Sequence, residues 1–104
     1  MAARNINTAQ FEELNRLDKP VLVDFWAPWC GYCRRIGPAY DRVAAEQQDV
    51  EVVKINIDEE PLLANRERIE VIPTLVLYRG GQALGSIVAP ESKSAIDAFI
   101  KEQL

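Results

Sequence analysis

Trp29-Cys30-Gly31-Tyr32-Cys33 holds the only two cysteines of the chain and directly follows the apolar run Val21-Leu22-Val23-Asp24-Phe25-Trp26. Two thiols separated by two residues at a strand-to-helix junction form a dithiol/disulfide switch. The small ring closes with little strain, and one sulfur lies at the positive end of the helix. That placement lowers a thiol pKa toward neutrality, and the thiolate is the reacting species. Cys30 precedes the helix, where its sulfur faces the unpaired N–H groups of the first turn, and is the expected attacking thiol. Cys33, one turn further in, is the expected resolving thiol, shielded until a mixed disulfide forms. The competing readings are half of a zinc site or two inert cysteines. Structural zinc takes four Cys or His ligands, and this chain has two cysteines and no histidine. No metal is therefore expected unless a second chain shares the site.

Asp24 is the second residue with chemical content. A carboxylate inside an apolar strand is costly unless it is paired, hydrated or neutral, so its pKa should be raised until it exchanges a proton near neutral pH. An edge aspartate with a solvated side chain is the alternative. Lys54 falls on the next apolar strand and is equally readable as part of a wet face.

The elements that must position these groups follow from periodicity and punctuation. Residues around Ala3 to Ile6 suit a short first strand. Asn7 or Thr8 caps a helix with Phe11, Leu14 and Leu17 as its apolar side, broken by Asp18-Lys19-Pro20. Val21 to Trp26 reads as a strand buried on both faces. A helix starting near Cys33 presents Ile36, Tyr40, Val43 and Ala44, with a kink expected at Pro38. Val50 to Ile57 is the next strand. Asp58 and Glu59 lead into a helix with Pro61 in its first turn and Leu62 and Leu63 on it, fading before Ile69. Thr74 to Tyr78 and Gln82 to Val88 form a hairpin around Gly80-Gly81. Ser92 caps a last helix with Ile96, Phe99, Ile100 and Leu104 as its core side. The order β-α-β-α-β-α-β-β-α gives an α/β fold, a mixed sheet with helices on both faces.

Val23-Asp24-Phe25-Trp26-Ala27-Pro28-Trp29-Cys30-Gly31, Cys33, Pro38, Lys54-Ile55-Asn56-Ile57-Asp58, Ile72-Pro73-Thr74 and Gly81 together carry a resemblance to the thioredoxin family. It covers essentially the whole chain, and matches at so many separated positions are far more specific than C-x-x-C alone. The resemblance implies a thioredoxin fold, a central mixed five-stranded sheet flanked by four helices. It implies that Asp24 deprotonates Cys33 through water, that Lys54 interacts with that carboxylate, and that the Ile72–Pro73 bond is cis and lies against the cysteine pair. An X–Pro bond tolerates this because its trans preference is only about 0.5–1 kcal/mol. The Ile72 backbone would then pair with an extended substrate segment. Trp29, Gly31, Tyr32, Ile72, Pro73, Val88 and Ala89 are the expected apolar substrate-binding rim. Trp26 is assigned to packing, and Tyr40 and Tyr78 to core or surface.

Three features depart from the family. Tyr32 stands where thioredoxins usually have proline, so that Cys-Gly-Tyr-Cys is similar to the tetrapeptide of periplasmic disulfide isomerases. A couple less reducing than that of a typical thioredoxin is expected. Arg34 and Arg35 put two cations at the unfavourable end of a helix, on a solvated face, helping the Cys30 thiolate or recruiting acidic partners. Ala89 replaces a glycine on the family's contact surface, and its β-carbon can narrow the groove.

Composition fits this reading. At 104 residues, 48% hydrophobic and 27% charged, the chain is sized for a single domain, residues 1–104. A net charge of −4 disfavours nucleic acid or an anionic membrane as partner. The Met1-Ala2-Ala3-Arg4 start has no apolar region of signal-peptide length and no stretch is long enough to span a membrane, so a cytoplasmic location is expected. A cysteine pair there is catalytic or metal-binding rather than structural. A monomer is expected as well. The expected activity is reduction of protein disulfides through a reversible Cys30–Cys33 couple, in electron transport and cell redox homeostasis. The alternatives are a disulfide oxidase or isomerase, favoured by Tyr32, and a non-catalytic binding module. No cofactor is expected on this chain, which has no dinucleotide fingerprint. The resemblance places FAD and NADPH on a thioredoxin reductase-like electron donor.

Overall fold

A computed structural model of the chain describes residues 2–104. The elements run β1 (Arg4–Asn5), α1 (Thr8–Leu14), β2 (Val21–Trp26), α2 (Gly31–Glu46), β3 (Glu51–Asn56), α3 (Pro61–Arg66), β4 (Thr74–Arg79), β5 (Gln82–Val88) and α4 (Lys93–Gln103). The five strands form one sheet in the order β1-β3-β2-β4-β5. β1, β3 and β2 are parallel, while β4 and β5 continue antiparallel. This is the mixed sheet with four helices that the sequence pattern predicts. No helix among the described residues is long and apolar enough to cross a membrane.

Successive side chains on a strand point to opposite faces, which sorts the apolar run of β2 into two cores. Leu22 joins Leu75 and Leu77 of β4 beneath Ile36, Tyr40 and Val43 of α2 and Ile96, Phe99 and Ile100 of α4. Val21, Val23 and Phe25 join Val53, Ile55, Val76 and Tyr78 beneath Phe11 of α1 and Leu63 of α3. With β3 on one side and β4 on the other, β2 is the central strand. Each large side chain buried there contributes roughly 1.5–3 kcal/mol, more than any single cap.

Local signals set the helix ends. Asn7 accepts the Gln10 N–H at 2.9 Å, and the Gln10 side chain accepts the Asn7 N–H at 2.9 Å. This reciprocal capping box starts α1 at Thr8. Ser92 caps α4 by accepting the Ala95 N–H at 3.1 Å. α2 starts earlier than expected, at Gly31 rather than near Cys33, because Cys30 itself is the N-cap. It continues through Pro38 as one helix. α3 starts at Pro61, in the first turn as expected, and its N-cap Glu60 caps nothing there, its carboxylate instead accepting from the backbone and hydroxyl of Thr8 at 2.7 Å each.

Two expected core residues are not in the core. Leu17 is exposed because α1 stops at Leu14. The tighter bonds Arg16 N–H to Glu13 O and Leu17 N–H to Leu14 O then rotate it off the apolar stripe. Leu104 is exposed because it is the C-cap, one residue beyond the end of α4 at Gln103.

α3 ends in a Schellman turn. The Ile69 N–H bonds to Ala64 O and the Arg68 N–H to Asn65 O, with Arg68 in the left-handed region at φ 59°. Glycine is the usual residue there because a β-carbon is strained. Arg68→Gly should therefore raise stability by about 1 kcal/mol. The check is a higher urea midpoint at an unchanged slope.

Candidate active site

The parallel register pairs Asp24 of β2 with Lys54 of β3, on the sheet face that carries Leu22 and lies under α2. Asp24 is only 3% exposed, and among the described residues its Oδ1 has no hydrogen-bond partner. It lines a cleft of about 290 Å³ together with Trp26, Cys33, Arg34, Gly37, Pro38, Tyr40, Asp41 and Lys54. Burial pushes the Asp24 carboxyl up to about 7, Lys54 opposes this, and Asp41 adds to it. Lys54 does not form an ion pair with Asp24 among the described residues. Its Nζ sits 4.9 Å from the centroid of the Trp26 ring. Desolvation therefore outweighs the nearby cation.

Cys30 and Cys33 form a disulfide with their Cα atoms 5.3 Å apart. The Cys30 sulfur accepts the Cys33 backbone N–H at 3.2 Å, placing it at the α2 N-terminus as the spacing predicts. It also lies 3.9 Å from the Ile72 carbonyl oxygen. Both cysteines are buried in this oxidised state, at 8% and 4% exposed, so the two differ less in exposure than the sequence suggests. What separates them is surroundings, because Cys33 lines the Asp24 cleft and Cys30 does not.

The Ile72–Pro73 bond is cis. Pro73 is buried, its carbonyl accepts the Ala89 N–H at 2.9 Å, and the Thr74 hydroxyl donates to the Val71 carbonyl. Trp29 is 65% exposed and Val88 52%, while Gly31 is open to solvent and Ile72 and Ala89 are half-buried. Trp29 Nε1 donates to Asp58 Oδ2 at 3.0 Å. Tyr32 is half-buried against the core under α2 and α4, and its hydroxyl donates to Pro90 O at 2.9 Å. The guanidinium of Arg34 donates to Pro28 O at 2.9 Å, and Arg35 is exposed.

Several contributors were not legible as site residues. Tyr40 and Tyr78 are core residues, as assigned, but the Tyr40 hydroxyl lies 2.6 Å from Val53 O and 3.1 Å from Leu22 O, beside the cleft. Burial raises its pKa well above the ordinary tyrosine value, so it stays neutral. Trp26 carries Lys54 on its ring as well as packing, and its Nε1 donates to Asn5 at 2.8 Å. Asp41 lines the cleft while accepting the Ala3 N–H at 3.0 Å, and Val71 adds an exposed apolar side chain next to Ile72. Of these, only Trp26 lay within the runs that carry the family resemblance.

The Thioredoxin family model matches residues 2–102. The chain belongs to the thioredoxin family. It is 39% identical to Thioredoxin 1 of Nostoc sp. over 105 residues, covering 99% of this chain and 98% of that one. It is 40% identical to the thioredoxin of Synechocystis sp. over 106 residues, covering 99% and 98%. The crystal structure of the Malassezia sympodialis thioredoxin superposes with a TM-score of 0.88 at 31% identity, covering 98% of this chain and 90% of that one. The fold is the thioredoxin fold. With its cysteine pair joined at the end of α2, this thioredoxin is a thiol-disulfide oxidoreductase, a protein-disulfide reductase by activity. Among the described residues, no group of three or more His, Cys, Asp or Glu gathers into a metal site.

The raised Asp24 pKa has a stability consequence. A carboxyl that binds its proton more tightly when folded stabilises the protein below its unfolded pKa, and that contribution is lost as pH rises through about 7. Asp24→Asn removes this dependence. In the disulfide form, the variant should gain on the parent between pH 4 and pH 8, by at most about 4 kcal/mol. Denaturant unfolding at a series of pH values checks this, and a constant difference between the two proteins would contradict it.

Proposed function

We propose that Cys30 attacks target disulfides, that Cys33 resolves the mixed disulfide, and that Asp24 takes the Cys33 proton. The carrying observation is that Asp24 and Cys33 line one cleft while the Cys30 sulfur faces the α2 N-terminus and Ile72. In the dithiol form, the Cys30 thiolate forms a bond to one target sulfur, the target S–S bond breaks, and the departing target thiolate takes up a proton. Cys33 then passes its proton to Asp24 through water in the cleft and attacks the Cys30 sulfur. The Cys30–target bond breaks, and the second target sulfur leaves as a thiolate that takes up a proton, while Asp24 returns its own to water. The target gains two electrons and the Cys30–Cys33 pair loses two. A carboxylate with a pKa of about 7 is matched to this exchange. Lys54 tempers that pKa from across the cleft.

Trp29, Gly31, Tyr32, Ile72, Pro73, Val88 and Ala89 form the rim against which an extended target segment docks, a role supported by the exposed apolar surface of Trp29 and Val88. The oxidised pair is reduced by a thioredoxin reductase-like donor that carries the FAD and uses NADPH, as family membership supports. The targets are disulfide-containing proteins. Residues 1–104 work as a single domain and a monomer, the domain reading being supported by one sheet that carries both cores. Two cysteines placed only at the site suit the reducing cytoplasm. Tyr32 favours a second reading, a disulfide oxidase or isomerase, because its backbone is less constrained than the proline usual at this position.

Cys33→Ser should trap a mixed disulfide with a target protein, and Cys30→Ser should trap none. In the otherwise unaltered pair, Asp24→Asn should slow resolution roughly 10-fold or more and abolish its inflection near pH 7. Stopped-flow mixing across pH reads this, and unchanged resolution would remove Asp24 from the mechanism. Tyr32→Pro is tolerated in a first helical turn and should make the couple more reducing, by about 30 mV for each tenfold change in equilibrium. Equilibration with glutathione buffers measures it, and a shift in the opposite direction would count against the second reading.

A further inference from the structure

We propose that Tyr32 is a positioning residue whose hydroxyl latches the β5–α4 loop, residues 89–92, in place as one wall of the substrate groove. The proposal rests on the disulfide-reductase reading above and adds how the groove is shaped. Tyr32 reaches from the reactive tetrapeptide to the Pro90 carbonyl at 2.9 Å. The preceding residue, Ala89, donates its N–H to the Pro73 carbonyl at 2.9 Å. Two adjacent loop residues are thus held from two sides, one by the cis-proline loop and one by the cysteine-bearing turn. Pro90 has no N–H of its own, so its carbonyl is the main-chain group through which the loop can be gripped at that residue.

Ala89 shows why a grip is needed. It lies at φ 45°, a left-handed conformation in which a β-carbon is strained. Such a conformation persists only where its surroundings over-determine it. Glycine would adopt it freely, but alanine needs anchors, and the two hydrogen bonds supply them on either side of its α-carbon. Val88, just before it, is an exposed apolar residue of the rim. A released loop would therefore shift the surface on which an extended segment lies, next to the Cys30 sulfur. The Tyr32 ring packs independently on the core under α2 and α4, so removing the hydroxyl alone separates latching from packing.

Tyr32→Phe is the test, alone and in the Ala89→Gly background. Hydrogen–deuterium exchange at the Ala89 amide should speed up roughly threefold to tenfold in Tyr32→Phe, the range expected for one hydrogen bond. KM for insulin disulfides should rise by a similar factor, with the loss falling on KM rather than kcat. It should exceed the loss with a small aromatic disulfide, which spans less of the groove. In the Ala89→Gly background, where the loop conformation is unstrained, the same substitution should raise KM less than twofold. An unaltered Ala89 exchange rate, or an equal KM effect in both backgrounds, overturns the latch. Failure of the parent protein to reduce insulin would instead strike the reductase reading, and amide exchange would still report on the latch.

Discussion

The burial of one carboxylate constrains most of what surrounds it. Asp24 occupies the middle of the central strand, where the two-residue repeat of β2 that sends Leu22 into the core under α2 sends Asp24 to the same face. An ionised carboxylate there loses several kcal/mol of hydration, and only a close cation or a set of donors would recover it. The structure supplies neither in full. Lys54 is opposite in register but rests over the Trp26 ring, and Oδ1 has no partner. The balance leaves the carboxyl poised at about 7. A tight ion pair would have held it as a permanent anion, too weak a base to take a thiol proton. A fully apolar wall would have held it as a permanent acid. The cleft between these extremes is what allows proton exchange at neutral pH.

The same helix that roofs this cleft presents the other sulfur. Cys30 replaces the serine, threonine or aspartate usual at an N-cap, accepting the Cys33 N–H itself. The first turn of α2 contains no acidic residue, although acids would stabilise it. An acid there would add negative charge beside both the sulfur at the cap and Asp24, working against each. Arg34 and Arg35 are unfavourable for the helix by the same dipole argument, and Arg34 turns its charge back onto the Pro28 carbonyl, at the rim of the cleft. Helix stability in this turn yields to the electrostatics of the sulfur, and the sixteen-residue length of α2, with Ile36, Tyr40 and Val43 buried beneath it, compensates.

What was legible in the sequence was local. The apolar run Val21–Trp26, the cysteine spacing, the Ser92 cap and the Gly80-Gly81 turn each declare themselves within a few residues, and each lies where the pattern puts it. Asn7 was one of two named caps, and the structure selects it through Gln10. The failures lie where distant chain segments decide. Leu17 continues a helical stripe in the sequence, but the helix ends before it. Glu60 gives its carboxylate to Thr8, 52 residues away, rather than to the first turn of α3. Tyr40 and Trp26 read as packing or surface, and Asp41 drew no reading, because nothing adjacent to them marks a cleft, which exists only once α2 crosses β2 and β3. Asp24 and Lys54 were found from burial cost and family pattern, and their exact opposition needed the register.

Tyr32 joins these two levels. A proline at its position would stiffen the tetrapeptide through its own ring, a restraint contained within one residue. Tyrosine restrains the same turn through a tertiary hydrogen bond to Pro90 and through packing on the core. Rigidity that was local becomes shared with the loop that carries Ala89. The free energy of the cysteine couple and the shape of the groove then share one contact. Here a change in the loop is felt at the sulfurs, and a change at the sulfurs is felt in the loop, as linkage requires of any shared contact.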